Sequence, residues 1–338
     1  MPSIKERVKK ALPSWLLLIR RYRKAHGVLP NLVRPATFNE KILYRILFDR
    51  RPVLTQITDK AAVRPYVESR LGPQALPKLY YLTTRPDTIP FDQLPDRFVV
   101  KPTHGSGWVQ IVTDKSALDR RALIDICTRW LNQSYYEITR EWAYKGIEPQ
   151  IMVQEFIDDG SASRPNDYRL FVFGGTVELI QVDVGRLTTG RVRLYTPTWE
   201  KLAPEPGGDV PPPAHLAEMI AAARTLCGNL DFVRVDFYDT AERLYFSELT
   251  TSPECAMGRF LLEGLDRHLG GHWQLPVLRS GGPLWVRAFQ AKARTPQGFL
   301  VRRLLLTDNR QLTRPTSRQL QRTRTIEERG MEPTQERD

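Results

Sequence analysis

Apolar residues recur at two spacings along the chain: three to four apart in some stretches, every second position in others. Near the start, Trp15, Leu16, Leu17, Leu18 and Ile19 run into Arg20, Arg21, Tyr22, Arg23 and Lys24, which predicts a helix. That helix reads two ways, as an amphipathic membrane-surface helix or as a packing helix with a basic exposed end. Thr37 stands three residues before Glu40 and ahead of Ile42, Leu43, Ile46 and Leu47, the pattern of a capping box opening a helix. A further helix should begin near Thr58-Asp59-Lys60, with a kink or a short first turn at Pro65.

From Phe98 the texture changes to strands. Phe98 to Lys101 and Trp108 to Val112 are short β runs separated by Pro102-Thr103-His104-Gly105-Ser106-Gly107. A helix follows from about Ala117 to Leu131, then strands at Gln150 to Ile157, Asp167 to Phe173 and Val177 to Val182. Gly174-Gly175 reads as a hairpin turn. Residues 203–213 are a Pro- and Gly-rich loop, Pro213 to Cys227 a helix, and Phe232 to Tyr238 with Leu244 to Thr250 a second hairpin. Short elements are expected at Trp285 to Phe289 and Phe299 to Leu306, and a disordered tail at 307–338. Strands and helices alternating with antiparallel hairpins predict an α+β enzyme fold.

Charge changes this picture little in the middle and much at the ends. The chain has 338 residues, 50 Lys and Arg against 38 Asp and Glu, and a formal charge of +12. Residues 1–24 carry +7, residues 283–338 carry +6, and the long middle carries −1. A basic total therefore does not mark the body as a nucleic-acid binder, and nucleic acid is not an expected partner. The basic ends are candidates for contact with an anionic membrane surface or a polyanion. No run of about 18 apolar residues predicts a membrane span. Cys127, Cys227 and Cys255 lack metal-ligand spacing and fit a reducing cytoplasm. The expected location is cytoplasmic, with the inner face of the membrane as the surface that the basic ends could meet.

Three segments carry candidate chemistry. Lys101 ends a strand before a Gly-Ser-Gly turn, where small residues let backbone N–H groups face an anion. Such a turn is also what a plain hairpin needs. Asp236 and Glu248 lie on adjacent strands, and a turn centred near residue 241 puts them on one face, diagonal to each other at roughly 7–8 Å. Two such carboxylates suit Mg²⁺ bound to nucleotide phosphates, or a solvated hairpin face. Gln154-Glu155-Phe156-Ile157-Asp158 is a strand leading into a loop that can meet an adenine edge and a ribose. Other features read as structural. Gly270 and Gly271 argue against a regular helix joining His268 to His272, Cys127 and Cys227 sit in apolar helical patterns, and no base accompanies Cys255. Trp130, Tyr135, Tyr136, Trp142 and Tyr144 suit packing between lobes.

Taken in order, these segments resemble the ATP-grasp superfamily, and within it the teichuronopeptide-biosynthesis (TupA-like) family. The resemblance covers about residues 35–275 and rests on Phe38-Asn39-Glu40-Lys41, Thr58-Asp59-Lys60, Lys101 to Gly107, Arg140-Glu141-Trp142-Ala143-Tyr144-Lys145, Asp167-Tyr168-Arg169, Gln181-Val182-Asp183, Phe232 to Asp236 and Ser247-Glu248-Leu249-Thr250. It implies two α+β lobes enclosing a nucleotide. The implied layout is a basic helical segment over 1–34, an N-terminal lobe over 35–97, a small lobe with the phosphate loop over 98–160, a large lobe with the metal hairpin over 161–280, and an Arg-rich tail over 281–338. Lys60 and Lys101 become the phosphate lysines, and His104, Gly105, Ser106 and Gly107 the loop over the phosphates. Glu155 and Ile157 meet adenine, and Asp158 approaches the ribose. Asp236 and Glu248 hold Mg²⁺, with Thr250 standing where many relatives carry Asn. Arg169, Arg234 and Lys101 serve phosphoryl transfer, and Asp183 and Arg186 the acceptor side.

The implied activity is ATP- and Mg²⁺-dependent joining of a carboxylate to an amine through an acyl-phosphate, in cell-surface polysaccharide or peptide-like biosynthesis. Two alternatives stay open: a small-molecule or sugar kinase on the same fold, and a degenerate polyanion- or membrane-binding accessory protein. Oligomeric state is open as well.

Overall fold

Two antiparallel sheets organise the chain, each following from the alternation in its strands. The computed structural model describes residues 12–158, 165–184, 191–202 and 209–276. Eight helices fall within those residues: α1 Ser14–His26, α2 Phe38–Phe48, α3 Pro52–Thr58, α4 Val63–Leu71, α5 Arg120–Leu131, α6 Tyr135–Thr139, α7 Leu216–Cys227 and α8 Leu265–His272. Strands β1 Leu79–Thr83, β2 Phe98–Pro102, β3 Gln110–Val112 and β4 Ile151–Glu155 form a four-stranded sheet in the order β1-β4-β2-β3. Strands β5 Asp167–Phe173, β6 Thr176–Val184, β7 Arg191–Tyr195, β8 Phe232–Asp239 and β9 Leu244–Thr250 form a five-stranded sheet in the order β7-β6-β5-β8-β9. The α+β class and the two-sheet architecture agree with the expectation. Arg186, the tail over 307–338, the elements sought at 285–289 and 299–306, and part of the 203–213 loop lie outside the described residues.

In β2, Phe98 and Val100 are buried while Val99 and Lys101 are half-buried on the other face. The buried face packs with Leu123 and Cys127 of α5 and with Val153 of β4. The larger sheet packs one face on α7, where Leu170, Val172, Val233, Val235 and Phe237 meet Met219 and Leu226. The opposite face carries the odd positions of β5 and the even positions of β8, and every residue of β5 is buried. Burial on both faces is why β5 reads as a nearly continuous apolar run broken by Asp167 and Arg169.

Several local expectations are met and several change. Thr37 and Glu40 form the capping box: Glu40 N–H donates to Thr37 Oγ1, and Thr37 N–H to Glu40 Oε2 at 3.1 Å. Gly174 and Gly175 both have positive φ, 53° and 88°, as a tight hairpin turn demands. Of the two readings of the first helix, packing holds, because Leu17, Leu18, Ile19 and Tyr22 of α1 are buried in the protein. The helix predicted from Ala117 starts at Arg120, because Asp119 caps it by accepting from Ala122 N–H at 2.9 Å. Pro65 causes no kink. The break falls earlier, at Asp59 to Ala62, and Pro65 sits in the first turn of α4, where a missing N–H loses no helical bond.

Gly270 and Gly271 also fail to interrupt a helix. They lie inside α8, and a Cβ on Gly270 would stand 2.2 Å from Ala36 O. The glycine is there to let α8 close against the start of α2. Lys41 Nζ fixes the same contact by donating to Gly270 O at 2.7 Å and to Trp273 O. No helix among the described residues is long and apolar enough to cross a membrane.

Candidate active site

A cavity of about 310 Å³ opens between the two sheets, within the range of small-molecule sites. Alternation on β2 presents Val99 and Lys101 to it, and β4 adds Gln154 from the paired register. Lys60 enters from the turn after α3. That turn is an Asx turn, in which Asp59 Oδ1 accepts from Ala61 N–H at 2.8 Å. Lys60 Nζ then reaches Gly105 O at 2.6 Å, tying its ammonium to the Gly-rich loop. Ser106, Gly107 and Trp108 line the cavity, and Gly107 takes a left-handed φ of 74°. From the other sheet come Asp167, Ser247 and Glu248. A smaller adjoining cavity of about 20 Å³, room for about one water, brings Lys60, Lys101, Glu248 and Thr250 together.

The face of the five-stranded sheet beside this cavity is built of paired charges. Asp236 and Glu248 are not diagonal as predicted. A bulge between Asp236 and Phe237 shifts the register by one and sets Asp236 directly opposite Glu248. Arg234 spans both: its Nε and Nη2 donate to Asp236 at 2.7 and 2.6 Å, and Nη2 also reaches Glu248 Oε1 at 3.0 Å and Thr250 Oγ1 at 3.1 Å. Arg169 lies beside it, with Nη2 at 3.0 Å from Asp167 and Nη1 at 2.8 Å from Asp183. Burial works against the charge on Arg234, but Asp236 and Glu248 outweigh it and push its pKa up. Burial also opposes ionisation of Glu248, yet Lys60 and Arg234, then Arg169 and Lys101, overcome it and hold Glu248 down to about 2. Glu248 is therefore a fixed anion facing the cavity.

These donors suit Mg²⁺ in one specific form. Among the described residues no group of three or more His, Cys, Asp or Glu is arranged to hold a metal. Two carboxylates completed by phosphate oxygens are the usual way Mg²⁺ is held beside a nucleotide. Glu248 meets that pattern on the cavity wall, whereas Asp236, directly opposite it, is buried behind the wall with both oxygens bonded to Arg234. Both bonds from Arg234 and Thr250 to Glu248 fall on Oε1, so Oε2 takes no part in them. The Thr250 hydroxyl already donates to Glu248 and accepts from Arg234, which makes it a weak third ligand.

Other expected residues fall differently. His104 lines neither cavity. Its ring is buried against the end of α5, where Nε2 meets Trp130 O at 3.0 Å, and burial holds its pKa below the usual range. Gly105 contributes its carbonyl to Lys60, and a Cβ there would stand 2.7 Å from the Trp108 ring. Glu155 lines the cavity as expected, with its N–H donating to Lys78 O at 2.8 Å and its carboxylate accepting from Lys78 N–H at 2.9 Å. Ile157 lines the cavity, but Asp158 pairs with Arg97 at the surface and is absent from the cavity wall. Asp183 joins the Arg169 network.

Sequence reasoning did not assign Asp167 or Tyr238 to the cavity. Their parity with Arg169 and Asp236 on the same strands was the available signal. His268 and His272 do share a helix face, rings 4.7 Å apart, and His272 Nδ1 lies 3.1 Å from Glu178. At Cys255 burial, with Glu141 nearby, drives the thiol pKa well up, which disfavours the thiolate a nucleophile needs.

The TupA-like ATP-grasp family matches residues 40–274, and the chain belongs to it. No curated protein matches. Among solved structures, D-alanine–D-alanine ligase from Bacillus anthracis complexed with ATP is similar at 18% identity and TM-score 0.42, over 64% of this chain and 62% of that one. D-cycloserine synthetase is similar at 13% identity and TM-score 0.40, over 65% and 70%. D-alanine–D-alanine ligase from Helicobacter pylori is similar at 15% identity and TM-score 0.40, over 65% and 61%. The chain thus spans under two thirds of the two D-alanine–D-alanine ligases, and likeness this distant says nothing of substrate.

Proposed function

We propose that the protein is an ATP-dependent ligase that joins a carboxylate to an amine through an acyl-phosphate. The observation that supports this reading most is the convergence of Lys60, Lys101 and Glu248 on one cavity beside the Arg169–Arg234 pair. In the first step a substrate carboxylate oxygen attacks the γ-phosphorus and the bond to the ADP oxygen breaks. In the second an amine nitrogen attacks the acyl carbon, inorganic phosphate leaves, and the nitrogen loses its proton. Neither step needs a covalent intermediate on the protein. Both need charge neutralised at fixed points, since phosphoryl transfer is catalysed mainly by positioning and electrostatics.

Lys60 and Lys101 bind the phosphates, and Ser106 and Gly107 offer backbone N–H groups to them. Val99, Ile111 and Ile157 give the base an apolar slot. Glu248 would hold Mg²⁺ from the cavity wall, with Asp236 opposite it as the second carboxylate; the ion when bound would neutralise the phosphate oxygens. Arg234 stands next to the reacting groups, and Arg169 acts through it as a positioning residue.

The lobe boundaries over 35–97, 98–160 and 161–280, the acceptor roles of Asp183 and Arg186, and a polysaccharide or peptide-like product belong to the same reading. Contact of the basic ends with a membrane does too. The test is to incubate the protein with ATP, Mg²⁺ and a panel of acids and amines, following ADP release and the coupled mass. An amide product with ADP supports the proposal. A stable phosphorylated product without amide makes the protein a kinase. Salt-sensitive polyanion binding without ATP turnover makes it an accessory protein.

A further inference from the structure

A second cavity, of about 420 Å³, lies on the same face of the five-stranded sheet. Strand pairing puts Phe171 opposite Arg234 and Gln181 opposite Leu194, and all four line it. The buried network of Arg169, Arg234, Asp183 and Asp236 lies on that face as well. Arg234 belongs to both regions, bonding Glu248 of the nucleotide cavity and lining this one. Arg234 is the charged residue the sheet supplies to this wall, with its Nε and Nη2 already bonded to Asp236 and Glu248.

The remaining wall comes from Val192 of β7, from Phe38 and Asn39 of α2, and from residues 253–261, the stretch after the metal hairpin to which the sequence assigns no role. Its backbone is unusual. Glu254, Cys255 and Ala256 are consecutive non-glycine residues with φ of 50°, 52° and 66°. Such conformations persist only where surroundings impose them, and they cluster at functional sites. The surroundings that impose this one are visible. His26 Nε2 of α1 donates to Ala256 O at 2.9 Å, and Asn39 Nδ2 donates to Gly258 O at 3.1 Å. Gly258 gives Glu254 room, because a Cβ there would stand 3.0 Å from Glu254 Cβ. The left-handed turn brings Pro253 and Glu254 to the cavity, and the chain after it adds Phe260, whose ring lies 6.4 Å from that of Phe171.

We infer that this cavity binds the carboxylic acid to be activated, and that it selects acids with an aromatic or branched apolar body. The inference rests on the ligase reading above. The acid's carboxylate lies towards Arg234, where the phosphoryl group would arrive from the neighbouring cavity. Its body packs against Phe171, Leu194 and Phe260. Glu254 and Arg259 stand exposed in the wall and can meet a further polar group of a peptide-like acid. A polyhydroxylated sugar acid would meet Asn39 and Gln181 as well, but would also lay hydroxyls against Phe171, Leu194 and Phe260, and burying an unbonded hydroxyl is unfavourable.

The test uses the full chain. 3-Phenylpropionate and glucuronate are titrated by saturation-transfer NMR and calorimetry, and binding of the non-hydrolysable nucleotide AMP-PNP with Mg²⁺ is measured separately. Phenylpropionate is expected to bind more tightly than glucuronate. Val192→Trp, on the outermost strand and in the cavity wall, should weaken phenylpropionate at least tenfold and leave the AMP-PNP affinity within twofold. Phe260→Ala, at a half-buried position, gives a second reading if the first variant does not fold; it should weaken the acid at least fivefold. Undiminished phenylpropionate binding in the folded variants, or a preference for glucuronate, overturns the inference. Loss of AMP-PNP binding by the wild type while phenylpropionate still binds strikes the ligase reading and leaves the cavity assignment standing.

Discussion

The cations on the two sides of the nucleotide cavity are held in opposite ways. On the side of the four-stranded sheet, Lys60 reaches a backbone carbonyl, Gly105 O, a neutral acceptor on a Gly-rich loop. On the five-stranded sheet, Arg169 and Arg234 are buried and bonded to carboxylates. A neutral acceptor is readily exchanged for a phosphate oxygen, because an ammonium bonds an anionic oxygen more strongly than a neutral carbonyl. A buried ion pair is not readily exchanged, because removing one partner strands the other charge out of water. The difference teaches a division of labour. One wall carries a cation that can change partners when nucleotide arrives, and the other carries cations that keep the reacting geometry fixed.

Breaking the fixed wall should have the largest effect. Arg234→Met leaves Asp236 without its bidentate partner in a buried site, and the unfolding free energy should fall by about 3–5 kcal/mol in urea titrations. Adding Asp236→Asn should recover part of that loss by removing the stranded charge. A loss under about 1 kcal/mol would mean that the pair is as loosely held as Lys60, and the contrast would collapse. Breaking the exchangeable wall should read out in turnover instead. Lys101→Ala should lower ADP release by about 10²–10³-fold, the scale of losing one preorganised charge stabiliser. Its unfolding free energy should change by less than about 1 kcal/mol, since Lys101 is half-buried at the cavity edge. Wild-type ADP release by this variant would remove the phosphate role.

The same contrast explains what could be read from the sequence. Alternation located β2, β5, β8 and β9, and parity put Arg234, Asp236 and Glu248 on one face. It could not show that a bulge between Asp236 and Phe237 would bring the two carboxylates face to face, because a bulge depends on how the strands twist in three dimensions. Gly270 looked like a helix breaker since its reason is a contact with Ala36, more than two hundred residues away in sequence. The family resemblance placed His104 in the loop over the phosphates. Its side chain instead satisfies carbonyls at the end of α5, Trp130 O and Gln133 O, which no local pattern encodes. Phe38-Asn39-Glu40-Lys41 was legible as a motif, and only the structure gives each residue a task. Phe38 packs on Phe232, Asn39 holds Gly258, Glu40 closes the capping box, and Lys41 ties down α8.

Glu141 tests the connection between the two walls. It follows α6, and its carboxylate accepts from the Ser252 hydroxyl just beyond β9. Burial, more than the hydrogen bonds from Ser252 and Thr139 can offset, pushes its pKa up to about 7 from an ordinary 4.5. A raised acid binds its proton more tightly when folded. The associated stability is therefore fully present below about pH 4.5 and is lost as pH rises through about 7, about 3 kcal/mol in all. Glu141→Gln should remove that slope and make the protein more stable than wild type at pH 8. Chemical denaturation of both proteins between pH 5 and 8 measures the difference, and parallel profiles would show that Glu141 keeps its charge in the fold.

The smallest effect should come from Thr250, where the fixed wall meets the metal donors. Its hydroxyl donates to Glu248 at 3.1 Å and accepts from Arg234 at 3.1 Å, so it serves the charged network from both sides. Thr250→Val keeps the shape and removes the hydroxyl. Losing these hydrogen bonds should lower the unfolding free energy by about 1 kcal/mol. If Thr250 acts only as a brace, the Mg²⁺ concentration for half-maximal ADP release should move less than twofold, because the carboxylates and the phosphates supply the ligands that matter. A tenfold rise would instead make Thr250 a metal ligand. The hydroxyl's O–H serves Glu248 and one lone pair takes the Arg234 bond, so its second lone pair would reach the ion, and the wall of buried ion pairs would itself be part of the metal site.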